Sequence, residues 1–482
     1  MHWAQDRPGS AIETAWTAFD LDSSDRAAKR LLVDLLHGFP AELTSERRPT
    51  FLALLTDRQV EPDFLGPAGW HLVLRDHAPA GAALEEIAFE RLAAAFGNDD
   101  LAIALLCEAP VYSAPAERLL TRLRRWLLLS ADCRRYSALV SALAVQASLN
   151  GGAWPFDEVE RARMATADQA IVAAYLPRPR VVGASSAAAA DPITRAVTAQ
   201  YEGWPYPAWT RITLPNPRHF SDLVREIDPS AAQDIPIAAN MLIAGCGTGR
   251  QAAKVASRYP DATITAIDVS EASLDYASRQ CAALGIEGVQ FRKLDLYEVA
   301  QLGQQFEAIY CGGVLHHLHD PERGLSALAD VLQAGGVMNI MVYSRLARIW
   351  VAGARTLISD LVQQSVSDDL LREVRRRFLE RPELPLAARI TRTLDFTTLA
   401  GTYDLLLHRH EDPFDIPRIK RALDRFGLRL LSFQLPDPPA AAHYDAMFPN
   451  DPKHCDINSW HLLEKSGSRL AAGNYTFWCR KD

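Results

Sequence analysis

Gly245, Gly247 and Gly249 stand at alternate positions, separated by Cys246 and Thr248, directly after the apolar run MLIA and directly before a helical segment opening at Arg250-Gln251. Glycine at a strand-to-helix turn lets the backbone approach a ligand closely, and the helix N-terminus adds exposed N–H groups. Asp268 follows nineteen residues after Gly249, at the end of the next apolar run. A carboxylate there can accept both hydroxyl protons of an adenosine ribose. Turn and acid in this register imply a nucleotide-like cofactor. The dinucleotide fingerprint G-x-G-x-x-G is not matched, because the third glycine is fifth in the run and Arg250 is sixth. With no Tyr-x-x-x-Lys pair in the chain either, a nicotinamide-dependent reductase is disfavoured.

These residues need a scaffold, and the surrounding pattern supplies one. Met241–Ala244, Thr263–Ile267, Val289–Arg292, Ala308–Cys311 and Val337–Val342 are short apolar runs separated by helical segments, the alternation of βαβ units around a buried parallel sheet. Leu428–Phe433 and Asn474–Cys479 are two further strand candidates, the first preceded by a helix over Ile416–Phe426. The expected fold is α/β, a doubly wound Rossmann-like sheet. Some seventy arginine-rich helical residues between Val342 and Ile416 exceed what a crossover needs and are read as a substrate-side insertion.

Upstream the texture is helical. From Thr14 to Leu176, apolar residues recur every three or four positions in Arg30–Phe39, Ala83–Phe96, Glu117–Leu129 and Arg134–Asn150. Pro115 marks a helix start, and Asn150-Gly151-Gly152 marks a helix end. No clean repeat period emerges, so an all-helical domain, bundle or solenoid-like, is expected. Pro177, Pro179 and the run Gly183–Ala190 read as an interdomain linker. The resulting division is 1–180 helical domain, 181–235 linker and aromatic segment, 236–345 cofactor core, 346–415 insertion, and 416–482 the last helix and strands.

Length and composition agree with two or three globular domains: 482 residues, 48% hydrophobic and 23% charged. Lys plus Arg number 51 against 59 Asp plus Glu, so the chain lacks the basic excess of a nucleic-acid binder. Seven scattered cysteines without a C-x-x-C, a polar N-terminus and no long apolar stretch predict a cytoplasmic protein with reduced thiols and no membrane partner.

The glycine turn with Asp268 resembles that of the class I S-adenosylmethionine-dependent methyltransferases, whose G-x-G-x-G is matched by Gly245, Gly247 and Gly249. The likeness continues in order. Asp295, in Leu294-Asp295-Leu296, falls where that family faces the adenine amino group. Gly312-Gly313-Val314-Leu315-His316-His317-Leu318 is similar to its V-L-H-H-L segment, and Leu332–Val337 to its L-x-P-G-G turn before the fifth strand, with Ala334 where proline is usual. The resemblance implies a seven-stranded sheet with the last strand antiparallel. It implies S-adenosyl-L-methionine as cofactor, bound by Gly245, Cys246, Gly247, Thr248, Gly249, Asp268, Val269, Asp295, Leu296, Gly312 and Val314. Ile243 stands where the family commonly carries Asp or Glu, which leaves one contact to the methionine end unassigned.

Gln200–Trp209 (QYEGWPYPAW) resembles the Y-E-x-N-P-Y-P-x-W stretch of bacterial methyltransferases with a helical, sometimes tetratricopeptide-like, N-terminal region. With the closing Phe477-Trp478, that likeness covers Ala138–Lys481. Trp204, Tyr206 and Trp209 are either hydrophobic anchors, or Tyr201, Glu202 and Tyr206 form a lid over the cofactor that shapes the acceptor site. Carboxylate and phenols beside a sulfonium suit a cationic or hydrogen-bonding acceptor such as an amine or guanidine. His316, Tyr201, Tyr206 and Glu202 are therefore the expected catalytic residues.

His316, His317 and His319 lack a Cys or carboxylate set at ligand spacing, so no metal is expected. Arg372–Arg381 and Arg118–Arg125 read as solvated helix faces, with a path for acidic peptide or RNA as the alternative, and His408, His410 and Glu411 define no reaction by spacing. The implied activity is methyl transfer to an N or O nucleophile of a peptide, protein or specialised small molecule. Nucleic acid ranks behind these, a homodimer is one compatible assembly, and the competing class is a scaffold or cofactor sensor whose helical domain binds a protein partner.

Overall fold

Helix-forming segments with apolar residues every third or fourth position fold together first along the chain. Arg26–Gly38 is capped by Asp25, whose carboxylate accepts from the Ala27 N–H, and it buries Ala28, Leu32, Val33 and Leu36. Among the described residues, nine further helices from Pro8–Leu21 to Gln169–Val172 share one core around Trp16, Phe51, Trp70, Phe96 and Leu123. Gly151 and Gly152 take the left-handed backbone expected past the helix Ser137–Leu149. The computed structural model describes residues 8–77, 88–129, 133–176, 191–229, 238–362, 364–435, 438–467 and 473–482. The proline-flanked run Gly183–Ala190 lies outside these residues, as does the start of Ala83–Phe96.

The apolar runs form a seven-stranded sheet of order β3-β2-β1-β4-β5-β7-β6. Its strands are β1 Asn240–Ala244, β2 Thr263–Asp268, β3 Val289–Lys293, β4 Phe306–Gly312, β5 Leu332–Tyr343, β6 Leu428–Gln434 and β7 Asn474–Lys481. β1 to β5 pair in parallel, and β7 runs antiparallel between β5 and β6. Separate cores cover the two faces, one centred on Ile309, Ile340 and Phe477 and the other on Ile243, Tyr310 and Trp478. β5 begins five residues earlier than its apolar run: Leu332 pairs with Phe306, and a bulge absorbs the glycine-rich stretch before Val337 pairs with Ala308. Two helices, Pro438–Met447 and Ile457–Lys465, fill the β6–β7 connection.

The segment between β5 and the helix Ile416–Arg425 folds as helices around its own core of Val351, Leu371, Phe378, Phe396 and Leu406, to which Ala153 of the N-terminal helices belongs. Its arginine-rich helix, Asp368–Leu379, is not a solvated face throughout. Arg372 donates to the Gly152 carbonyl (2.8 Å), and Arg375, fully buried, donates to the Ala153 carbonyl (3.0 Å) and pairs with Glu117 (2.5 Å). Arg124 is likewise buried, donating to the Ala174 and Pro155 carbonyls with its guanidinium 3.8 Å from the Tyr175 ring centroid. Charge density along a helix said nothing of which arginines satisfy buried carbonyls. None of the seven cysteines, all among the described residues, forms a disulfide, and no helix among the described residues is long and apolar enough to cross a membrane.

Candidate active site

The parallel sheet reverses direction of winding between β1 and β4, the place where open α/β sheets bind ligands. There the glycine run turns the chain from β1 into the helix Arg250–Arg258, with Gly249 as its N-cap at φ 82°. The space behind the turn is taken by protein: a Cβ on Gly249 would lie 2.5 Å from the Ala277 Cβ. Gly247 differs, since the Tyr206 carbonyl lies 3.2 Å from where its Cβ would be, so the aromatic segment rests on the turn itself.

A cavity of about 910 Å³ opens at these strand ends. Gly245, Cys246, Gly247, Asp268, Val269, Asp295, Leu296, Gly312 and Val314 all line it. Asp268 Oδ2 accepts from the Gly247 N–H (2.7 Å) and Oδ1 from the Ser270 N–H (2.9 Å), so the acid pins the glycine turn while each oxygen keeps a second lone pair. Burial pushes its carboxyl above the usual range, against the pull of those N–H groups. Asp295 Oδ1 caps the following 3-10 helix at the Tyr297 N–H (2.9 Å), and Asp295 also faces the cavity. Glycines admitting close approach, with carboxylates at the ends of successive strands, fit S-adenosylmethionine.

Two expected contacts, Gly249 and Thr248, do not line the cavity. Thr248 is fully buried; its hydroxyl donates to the Pro207 carbonyl, and its own carbonyl accepts from the Trp209 indole (2.8 Å). Ile243 is buried in the sheet core, as an inward strand position requires.

The aromatic segment divides between the two readings. Trp209 and Trp204 are anchors, the latter donating to Asp368 (3.1 Å) and meeting Tyr403 edge-on at 5.1 Å. Tyr201 and Tyr206 face the cavity. The Tyr201 hydroxyl donates to Asp404 (2.7 Å), and the Tyr206 hydroxyl donates to Asp395. Glu202 does not join them: its carboxylate accepts from the Glu271 and Ala272 N–H groups (2.8 and 3.1 Å), capping the helix Glu271–Ala283 where the helix dipole favours an anion.

Asp395 and Asp404, both lining the cavity, were not foreseen. They sit in the insertion without motif or spacing, and only the phenols that bind them hinted at a polar acceptor face. Burial raises Asp395, and it raises Asp404 to about 7, reinforced by Asp395 and Glu411 and opposed by the Tyr201 hydroxyl and Arg348. Arg348 also lines the cavity, paired with Glu411 through two guanidinium nitrogens and lying 4.6 Å from the Tyr343 ring centroid.

The histidines stack behind this face. His316, fully buried, accepts the Tyr343 N–H at Nδ1 (3.2 Å) and lies over the Tyr343 ring at 3.8 Å; His317, not His316, reaches the cavity. Burial holds His316 far below the usual imidazole range and His317 down at about 3, so both are neutral rings. The structure does complete a group that spacing could not show, since ligand atoms of His317, Asp404 and His408 lie within 4.8 Å of one another. Its geometry is that of hydrogen bonding. His317 Nδ1 must donate to the His410 carbonyl (2.9 Å), whereas His408 Nδ1 accepts the His410 N–H (3.1 Å) and so carries its proton on Nε2, toward Tyr201 (3.2 Å). The two rings are face-stacked at 3.7 Å, which sets their in-plane lone pairs side by side rather than converging on one ion.

A parallel sheet closed by an antiparallel β7, a glycine turn after β1 and acids ending β2 and β3 define a class I S-adenosylmethionine-dependent methyltransferase domain. Within the chain, residues 241–336 match the family described as "Methyltransferase domain". It is 33% identical over 262 residues to an uncharacterized protein of Synechococcus sp., covering 51% of this chain and 61% of that one. To a trans-aconitate 2-methyltransferase of Deinococcus radiodurans it is 36% identical over 98 residues, 20% of this chain and 35% of that one. Among solved structures, PKMT2 from Rickettsia typhi in complex with AdoHcy aligns with a TM-score of 0.42 and 14% identity, over 56% of this chain and 55% of that one. The chain thus spans about three fifths of the first curated relative and about a third of the second.

Proposed function

We propose that this protein is a methyltransferase that transfers the methyl group of S-adenosylmethionine to an amine nitrogen. The supporting observation is that one cavity holds both the glycine turn with Asp268 and the two carboxylates Asp395 and Asp404 beneath Tyr206 and Tyr201. Paired buried carboxylates attract a cation, and Arg348 beside them is already engaged by Glu411.

The bound cofactor supplies an activated methyl on a sulfonium, which leaves the protein to align the acceptor, exclude water and remove a proton. In this reading Gly249 turns the chain into its helix, and Gly245 and Gly247 admit the cofactor, with Cys246, Val269, Leu296, Gly312 and Val314 around it, Asp268 on its ribose and Asp295 on its adenine. Thr248 acts at one remove by fastening the aromatic segment. Asp404, raised to about 7, takes the acceptor's proton near neutral pH, a task the neutral histidines cannot share. Tyr201 and Tyr206 orient the two carboxylates. His316 and Glu202 are positioning residues, holding Tyr343 and the helix Glu271–Ala283. Residues 1–180 and 181–235 frame the site, 236–345 carry the cofactor, 346–415 supply the acceptor face and 416–482 complete the sheet.

Calorimetric titration with S-adenosylmethionine, S-adenosylhomocysteine and NADH, followed by mass spectrometry of acceptors, tests this reading. Binding of the first two, with an acceptor gaining the mass of one methylene on nitrogen, supports it; binding of NADH alone overturns it.

A further inference from the structure

Next to the cavity just described lies a second, of about 870 Å³, that no part of the reaction uses. Its floor is the sheet. Tyr310, Asn339, Trp478 and Ser432 stand opposite one another across β4, β5, β7 and β6 and line this second cavity. Two residues further along the same four strands, and so on the same face, Gly312, Met341, Thr476 and Gln434 form the next row and line the cofactor cavity. Asn339 and Gln434 line both cavities, as do Gln251 and Lys254 from the helix wall. The two spaces are therefore one groove, running from the methyl-transfer site outward between the sheet and the N-terminal helices, which contribute Val33 and Phe64.

The junction carries an unmet demand. Asn339 is 7% exposed, and its Nδ2 is buried with no hydrogen-bond partner. A buried amide donor left unpaired is costly, and its presence in a native fold calls for a partner that arrives later. Carboxylates stand among the groove's cations: Asp34, Glu61 and Glu226 line it, with Arg218 paired to Glu226 (2.5 Å) and Lys254 to Glu61 (3.1 Å). A polyanion would meet those three carboxylates, and a lipid chain would leave the Asn339 amide unsatisfied.

We propose, building on the methyltransferase reading, that the acceptor is a polypeptide laid in extended form along this groove. The side-chain amides of Asn339, Gln251 and Gln434 pair with its backbone, while its reactive side chain enters between Gly312 and the carboxylates Asp395 and Asp404. A polypeptide backbone alternates N–H and C=O groups, which an amide matches from either end, and Tyr310 and Trp478 give apolar floor between the polar contacts.

The test uses an extract of cells lacking this protein, divided into macromolecular and small-molecule fractions and incubated with the full chain and methyl-labelled S-adenosylmethionine. Protease-sensitive label in the macromolecular fraction is expected. Ser432→Trp, which fills the groove away from the chemistry, should lower that labelling tenfold or more with S-adenosylmethionine affinity within twofold. Gln434→Ala, at an exposed strand position that tolerates substitution, should raise KM for the labelled protein at least threefold with kcat retained. Label confined to small molecules, or sensitive to nuclease instead of protease, overturns the polypeptide assignment and leaves the methyltransferase reading standing, as does full labelling by Ser432→Trp. Absence of label in every fraction overturns both.

Discussion

The hydroxyl of Tyr201 donates to the Asp404 carboxylate at 2.7 Å, joining the aromatic segment ahead of the sheet to a helix of the insertion 203 positions later. Neither residue is a family signature by itself. Together they put a phenol and a buried carboxylate of raised pKa on the acceptor side of a cofactor cavity, and the proposed proton transfer depends on this pair.

Asp404→Asn removes the proposed proton acceptor while preserving shape. Its kcat should fall by roughly 10²- to 10⁴-fold, with S-adenosylmethionine affinity unchanged by calorimetry. In the parent protein kcat/KM should rise with pH through about 7, as Asp404 ionises, and this limb should vanish in the variant. Stability moves the other way. A carboxyl raised above its unfolded value stabilises the fold while protonated and loses that contribution as pH rises through about 7, so Asp404→Asn should melt higher than the parent above that pH.

Tyr201→Phe leaves the ring and deletes the hydrogen bond. That bond favours ionised Asp404, so its loss should displace the kcat/KM limb to higher pH. A pH–rate profile coincident with that of the parent would remove Tyr201 from the proton-transfer scheme.

Sequence legibility followed the locality of the physics. The glycine run, Asp268, Asp295 and the positions of the strands rest on short-range constraints, namely what a strand-to-helix turn admits and which short apolar runs alternate with helices, and these are written in contiguous residues. Asp395 and Asp404 are not, because they matter only through Tyr206 and Tyr201, roughly two hundred positions upstream, and nothing in their own neighbourhood marks them. Glu202 illustrates the converse. Residue type and proximity to Tyr201 suggested an acceptor role, but successive helical positions point in different directions, and its carboxylate reaches a helix N-terminus instead. The arginine runs failed for the same reason: whether Arg375 meets water or the Ala153 carbonyl is decided by the packing of two distant segments.

Asp268→Ala deletes an acceptor of the Gly247 and Ser270 N–H groups and the proposed ribose contact together. S-adenosylmethionine affinity should fall by about tenfold or more, since hydrogen bonds to a charged group contribute about 1.5–3 kcal/mol. Calorimetry measures it, with circular dichroism to verify the fold. Unchanged affinity would dismiss the proposed cofactor pose.

Arg375 tests how the N-terminal helices and the insertion depend on each other. Its guanidinium is fully buried, pairs with Glu117 and donates to the Ala153 carbonyl, so Arg375→Met strands a buried carboxylate and a carbonyl at once. Breaking one side of such a pair costs about 3–5 kcal/mol, whereas replacing both partners with apolar groups often restores the loss. Urea unfolding of Arg375→Met should show a loss of this size, and Arg375→Met combined with Glu117→Leu should recover much of it. The insertion that Arg375 anchors carries Asp395 and Asp404, so the single variant should also raise KM for the acceptor more than it weakens S-adenosylmethionine binding. Equal effects on both would mean that the N-terminal helices stabilise the whole domain rather than the acceptor face.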